Sequence, residues 1–78
     1  MVMTYYERLR GLREDKEPTP TQSEVAAACG MTQRKLSFIE TGKTEPNIDD
    51  IKALCLYYGV SADYLLGLPE GLAYPKRG

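Results

Sequence analysis

Apolar side chains recur at helical spacing in five short stretches of the chain, and each stretch is preceded by a residue that can cap a helix. Tyr5, Leu9 and Leu12 share a face within YYERLRGLRED, and Thr4 and Glu7 ahead of them form a T-x-x-E capping box. The segment KEPTP, Lys16 to Pro20, must be a loop, because its prolines lack the N–H that a continuing helix needs. Thr21 and Glu24 repeat the box and open a second helix, Gln22 to Cys29, with Val25, Ala26 and Cys29 on one face. Gly30 ends it and supplies the left-handed backbone of a tight turn. Thr32 caps a third helix, Gln33 to Glu40, which sends Leu36 and Ile39 inward and stops at Gly42. After the loop KTEPN, Asn47 caps a fourth helix with Asp49 and Asp50 in its first turn. Ile48, Ile51, Leu54, Cys55 and Tyr58 form its apolar stripe, and Gly59 ends it. Ser61 caps a short fifth helix, ADYLLG, whose Leu65 and Leu66 close the core. No strand, repeat or separate linker is visible. The expected organisation is one all-α domain over residues 1–67 and an irregular tail over 68–78.

The third helix carries the chemistry. Opposite Leu36 and Ile39 it presents Gln33, Arg34, Ser37 and Phe38 together. A short helix held by its inner face, with an amide and a cation outward, suits entry into a groove, and the DNA major groove is the first candidate. Gln33 has the donor and acceptor pair that matches adenine. Arg34 matches either guanine or a phosphate, and the two readings stay open. Phe38 has three: packing on a thymine methyl, marking a protein-binding patch, or folding back into the core if the helix is rotated.

Charge bears on this in two ways. The net charge of −1 and a pI near 5.3 count against a nucleic-acid binder, since phosphate contacts dominate affinity. The distribution is more favourable. Between Thr32 and Thr44 three cations, Arg34, Lys35 and Lys43, face one acid, Glu40, while acids gather at Glu14, Asp15 and Glu17 and at Asp49 and Asp50.

The remaining composition mainly excludes. Seventy-eight residues allow a single small core, and a chain of that size buries roughly 60% of its unfolded surface. Cys29 and Cys55 read as small core residues, and with no histidine in the chain a zinc site is not expected. No apolar run suits a membrane span or a signal peptide, so a cytoplasmic protein is expected. No nucleophile-and-base spacing, glycine-rich phosphate loop or metal cluster supports an enzyme, and no cofactor or small-molecule ligand is evident.

The order and spacing of these features resemble the Cro/repressor-type (Xre-like) helix-turn-helix proteins of phages and bacteria. The residues that carry the resemblance run from Arg8-Leu9-Arg10 and Leu12-Arg13 through Thr21-Gln22, Glu24-Val25-Ala26 and Gly30-Met31-Thr32-Gln33. They continue with Ile39-Glu40-Thr41-Gly42-Lys43 and Glu45-Pro46 and close with Gly59-Val60-Ser61-Ala62-Asp63-Tyr64-Leu65-Leu66-Gly67. The resemblance covers roughly residues 5 to 67.

It implies a five-helix lambda-repressor-like DNA-binding domain with a central helix-turn-helix, working as a homodimer on a near-palindromic operator. Helix three would be the recognition helix. Gln33, Arg34, Ser37 and Phe38 would be its base-facing residues. Gln22, Thr41 and Lys43 would contact the DNA backbone, with Lys35 adding to the basic face as a further phosphate contact. Gln22 would also brace Gln33. Arg13 and Glu40 would form a buried ion pair between helices one and three. The chain departs from the family pattern at the longer KEPTP loop, where Glu17 and Pro20 replace a glycine and an apolar residue. Phe38 replaces a polar residue, and Glu45 lies in a loop that is often basic.

The function expected is that of a sequence-specific transcriptional regulator, a small phage- or prophage-type repressor in the cytoplasm and associated with the nucleoid. The rival class is a protein-interaction module of the same fold, antitoxin-like or anti-repressor-like. Four to six phosphate contacts would give a slope of about −4 to −5 in log K against log salt. Tyr57, Tyr58, Leu68, Leu72 and Tyr74 offer apolar surface for a homodimer, unless the tail folds back over its own domain.

Overall fold

Short helices are marginal alone in water, so each must be closed at its ends and buried on one face. The computed structural model describes residues 3–69 and 71–73. In it the helices are α1 Tyr5–Glu14, α2 Gln22–Ala28, α3 Gln33–Glu40, α4 Ile48–Tyr58 and α5 Ala62–Leu66. Among the described residues there is no strand. Thr4, Thr21, Thr32, Asn47 and Ser61 cap them, each accepting the backbone N–H three residues on.

Two capping details differ from expectation. At α2 the Glu24 carboxylate takes the Thr21 hydroxyl at 3.2 Å, so only half of that capping box forms. At α4 a full box forms that was not expected, in which the Asp50 carboxylate accepts the Asn47 backbone N–H at 3.1 Å.

The C-terminal ends of α2 to α5 close alike. A glycine with positive φ follows the helix, and the next residue's N–H reaches back five positions to a helix carbonyl. The bonds are Met31 to Ala26 at 2.9 Å, Lys43 to Phe38 at 2.9 Å, Val60 to Cys55 at 3.1 Å and Leu68 to Asp63 at 2.9 Å.

The core takes side chains from every helix: Leu9, Val25, Ala26, Leu36, Ile39, Leu54 and Leu65. α2 and α3 pack on each other, α1 lies against α3 and α5, and α4 packs on α5. Cys29 and Cys55 are free and partly buried against this core, and burial pushes both thiols up.

Three expectations about apolar faces are corrected. Ile48 is 77% exposed, because it is the first residue of α4, just past its cap, where the stripe has not yet turned inward. Leu66 is 48% exposed, since it lies one helical step from the buried Leu65. Tyr57 and Tyr58 pack edge to face, 5.0 Å between centroids, against the core, so they are not free surface for a second molecule. Tyr74 lies outside the described residues.

Gly42 is held by two constraints at once. Its φ is +77°, and a Cβ there would stand 2.7 Å from the Tyr6 ring. Gly59, at φ +68°, would meet nothing within 4 Å. Gly59→Ala should therefore cost only left-handed strain, about 1–2 kcal/mol. Gly42→Ala should cost that and about 1 kcal/mol or more for displacing Tyr6. Urea unfolding of both variants checks the difference, and equal losses would remove the Tyr6 constraint.

Candidate nucleic-acid interface

α3 divides cleanly into a core side and a solvent side. Leu36, Ile39 and Glu40 are buried, while Gln33 and Arg34 are exposed and Ser37 and Phe38 half-buried. The buried member that is not apolar, Glu40, organises the site. Its side chain is 1% exposed, and Arg13 of α1, 15% exposed, meets it with Nη2 at 3.0 Å and Nε at 3.0 Å, one bond to each carboxylate oxygen. The expected ion pair is therefore present and buried. Hydrogen bonding to Glu40 is the largest influence raising the Arg13 pKa, against the opposing effect of burial. Arg13 also donates to the Pro20 carbonyl at 3.4 Å, which ties down the loop entering α2.

A chain of amides runs outward from this pair. Gln22 Nε2 donates to Glu40 Oε1 at 3.0 Å, and Gln33 Nε2 donates to Gln22 Oε1 at 2.7 Å. The direction of each bond follows from the buried end. An ionised carboxylate only accepts, so Gln22 must turn its NH2 to Glu40 and its oxygen to Gln33. Gln33 must then donate. It keeps one N–H and its carbonyl oxygen for an external partner, which is the complement of the adenine edge. Gln22 likewise keeps one N–H. The bracing of Gln33 by Gln22 is thus realised as a single short hydrogen bond.

Phe38 is not part of the core cluster, which removes the rotated-helix reading. Its ring is flanked by two cations, with the Arg34 guanidinium 5.4 Å and the Lys43 ammonium 5.7 Å from the centroid. Lys43 is there because the turn that closes α3 bonds its N–H to the Phe38 carbonyl, bringing the two residues together.

The expected phosphate contacts separate. Gln22 and Lys43 lie close to Gln33 and Phe38 as described. The Thr41 hydroxyl donates to the Ser37 carbonyl at 2.9 Å, so it serves the helix end. Lys35 pairs with Asp50 of α4 at 2.9 Å, and that carboxylate also caps α4. Asp50 offsets the Lys35 charge within the fold. The sequence offered no sign of this pairing. The Asn47–Asp50 spacing, which is that of a capping box with Asp as the acid, does signal Asp50's capping role.

Beneath the pair, the Tyr58 hydroxyl is buried with no hydrogen-bond partner among the described residues. Burial, followed by the Glu40 charge, pushes its pKa well up, so it stays a neutral phenol. Among the described residues no group of side chains could hold a metal ion.

Residues 21–65 match a family model described as helix-turn-helix. No curated protein matches the sequence. Among solved structures, the P22 c2 repressor, in complex with synthetic operator 9T in the presence of Tl+, is similar at 29% identity and a TM-score of 0.76. The match covers 83% of this chain and 96% of that one. The SOS-response transcriptional repressor LexA from Eubacterium rectale aligns at 19% identity and a TM-score of 0.75, covering 94% of this chain and 76% of that one. This second likeness bears on the fold alone.

Removing one partner of a buried ion pair strands the other charge, at about 3–5 kcal/mol. Glu40→Ala should therefore lower the melting temperature strongly, while Glu45→Ala, at an exposed loop position, should stay within about 0.5 kcal/mol of the parent. Thermal unfolding of the two variants decides, and equal small shifts would contradict the energetic weight given to the pair.

Proposed function

The chain belongs to the Cro/C1-type helix-turn-helix family, and from that premise we propose that it is a DNA-binding transcriptional regulator of the repressor type, with α3 entering the major groove. The observation that carries this reading is the exposed Gln33 amide, oriented by the buried carboxylate so that its free N–H and carbonyl match adenine. Arg34 and Ser37 beside it extend the base-reading face. Arg34 can pair with guanine O6 and N7, worth about 1–3 kcal/mol of discrimination. Lys43 and the free N–H of Gln22 contact phosphates and set the register of α3. The P22 c2 repressor's complex with its synthetic operator supports the same use of the fold here. A phage- or prophage-type repressor, cytoplasmic and nucleoid-associated, is the form we assign to it. Among the described residues no helix is long and apolar enough to cross a membrane.

The rival role, a protein-binding module, is favoured by Phe38, an aromatic left half-open on a polar helix. Salt separates the two. Each neutralised phosphate contributes about −0.9 to the slope of log K against log salt. With Lys35 paired to Asp50, a dimer brings Lys43 from each protomer to phosphates for a slope of about −2, rising to about −4 if Arg34 holds a phosphate in place of guanine. We expect selection from a randomised duplex pool at two salt concentrations to enrich a palindrome with half-sites about one helical turn apart. Absence of enrichment would end the repressor reading.

We also propose a homodimer, formed through α5 and the segment after it. Tyr64, Leu66, Leu68 and Leu72 are exposed there in one stretch of sequence, more apolar surface than scattered single residues would supply. Sedimentation of the full chain should show a concentration-dependent dimer, and Leu66→Lys should shift it toward monomer while leaving the helical signal intact. A monomer at high concentration would overturn the assignment.

A further inference from the structure

Arg34 and Phe38 stand one helical turn apart on the side of α3 away from Leu36 and Ile39, and so occupy the middle of the surface that meets a groove. The Phe38 ring is the one large apolar group on that surface and lies outside the core cluster. Arg34 and Lys43 flank it, and neither is in an ion pair among the described residues. An apolar spot ringed by free cations fits a polyanion that itself carries an apolar spot. It fits an apolar protein groove badly, because docking there would strip water from both cations without pairing them. In the major groove that apolar spot is the pyrimidine 5-methyl group, present on thymine and absent from cytosine.

We propose that Phe38 is a specificity-determining residue that reads a pyrimidine 5-methyl group in each operator half-site, within two base pairs of the one read by Arg34. This rests on the DNA-binding reading given above. The spacing agrees with it. Four residues of helix advance about 6 Å, which is within two base steps of about 3.4 Å. The Phe38 backbone carbonyl accepts the Lys43 N–H at 2.9 Å, which holds Lys43 beside this residue, with its ammonium 5.7 Å from the ring centroid. The same ring also steadies the Arg34 guanidinium, so the arginine and the methyl contact are read as a unit. Because a methyl group is the feature sensed, 5-methylcytosine should be accepted at that position in preference to cytosine.

The test uses the selected operator duplex and the full chain. Each thymine is replaced in turn by deoxyuridine, which removes only the methyl group. One position per half-site should weaken binding about three- to tenfold. At that position 5-methylcytosine should bind better than cytosine by a similar factor. Phe38→Ala should bind the thymine and deoxyuridine duplexes equally, and Phe38→Leu, which keeps an apolar side chain, should retain part of the difference. Specific binding that ignores every thymine methyl would overturn the proposal and leave the regulator standing. A deoxyuridine effect that persists in Phe38→Ala would overturn it too, by assigning the methyl to another residue. Loss of all specific DNA binding by the parent protein would overturn both readings and return Phe38 to a protein contact.

Discussion

A carboxylate with almost no exposure to water, Glu40, is the constraint on which the arrangement of α1, α2 and α3 depends. An ionised group in such a place is costly unless its oxygens are fully engaged. Here three nitrogens engage it: two of the Arg13 guanidinium, from α1, and the amide of Gln22, from α2. The partners must all arrive together, so a shift of any of these helices would leave the charge short of a bond. Replacing such a pair by apolar side chains is often neutral or stabilising. Its value in this fold is registry. It fixes how far α3 is turned about its axis, and thereby which side chains face outward.

The rest of the scaffold is assembled from local rules. Helices of five to eleven residues cannot hold themselves, and each is closed at its N-terminus by a side-chain cap and, from α2 onward, at its C-terminus by the same glycine turn. Packing then selects one stripe per helix. Because the elements are so short, a single step around the helix decides burial, which is why Leu65 lies at 1% exposure beside the half-exposed Leu66.

Much of this was legible in the sequence, for a physical reason. Caps and glycine stops act over three to five residues, so T-x-x-E, Asn47 and Gly59 announce helix ends without reference to the fold. The outward set on α3 was legible because Leu36 and Ile39 fix the phase of the helix. What could not be read were contacts between residues distant in the chain. Lys35 reads as a free cation because its charge is visible in the sequence and its partner, Asp50, is not. Tyr57 and Tyr58 looked like surplus apolar surface because the small core's capacity depends on how α4 is rotated. Periodicity alone places Ile48 in the α4 stripe, and it does not register that the first residue of a helix can project beyond its packing partner. The Arg13–Glu40 pair was found through resemblance to related sequences, since a separation of 27 residues leaves no local trace.

The chain of amides that ends at Gln33 has a consequence for how the lineage of this protein can diversify. Gln33 is bonded into the scaffold, so altering it disturbs Gln22 and the solvation of a buried charge. Arg34, Ser37 and Phe38 lie outside the core cluster. Drift toward new target sequences is therefore channelled: the outer positions of α3 are free to change first, while the amide at its start is inherited with the architecture. Descendants of this chain should diverge in what they recognise from one side of the helix only.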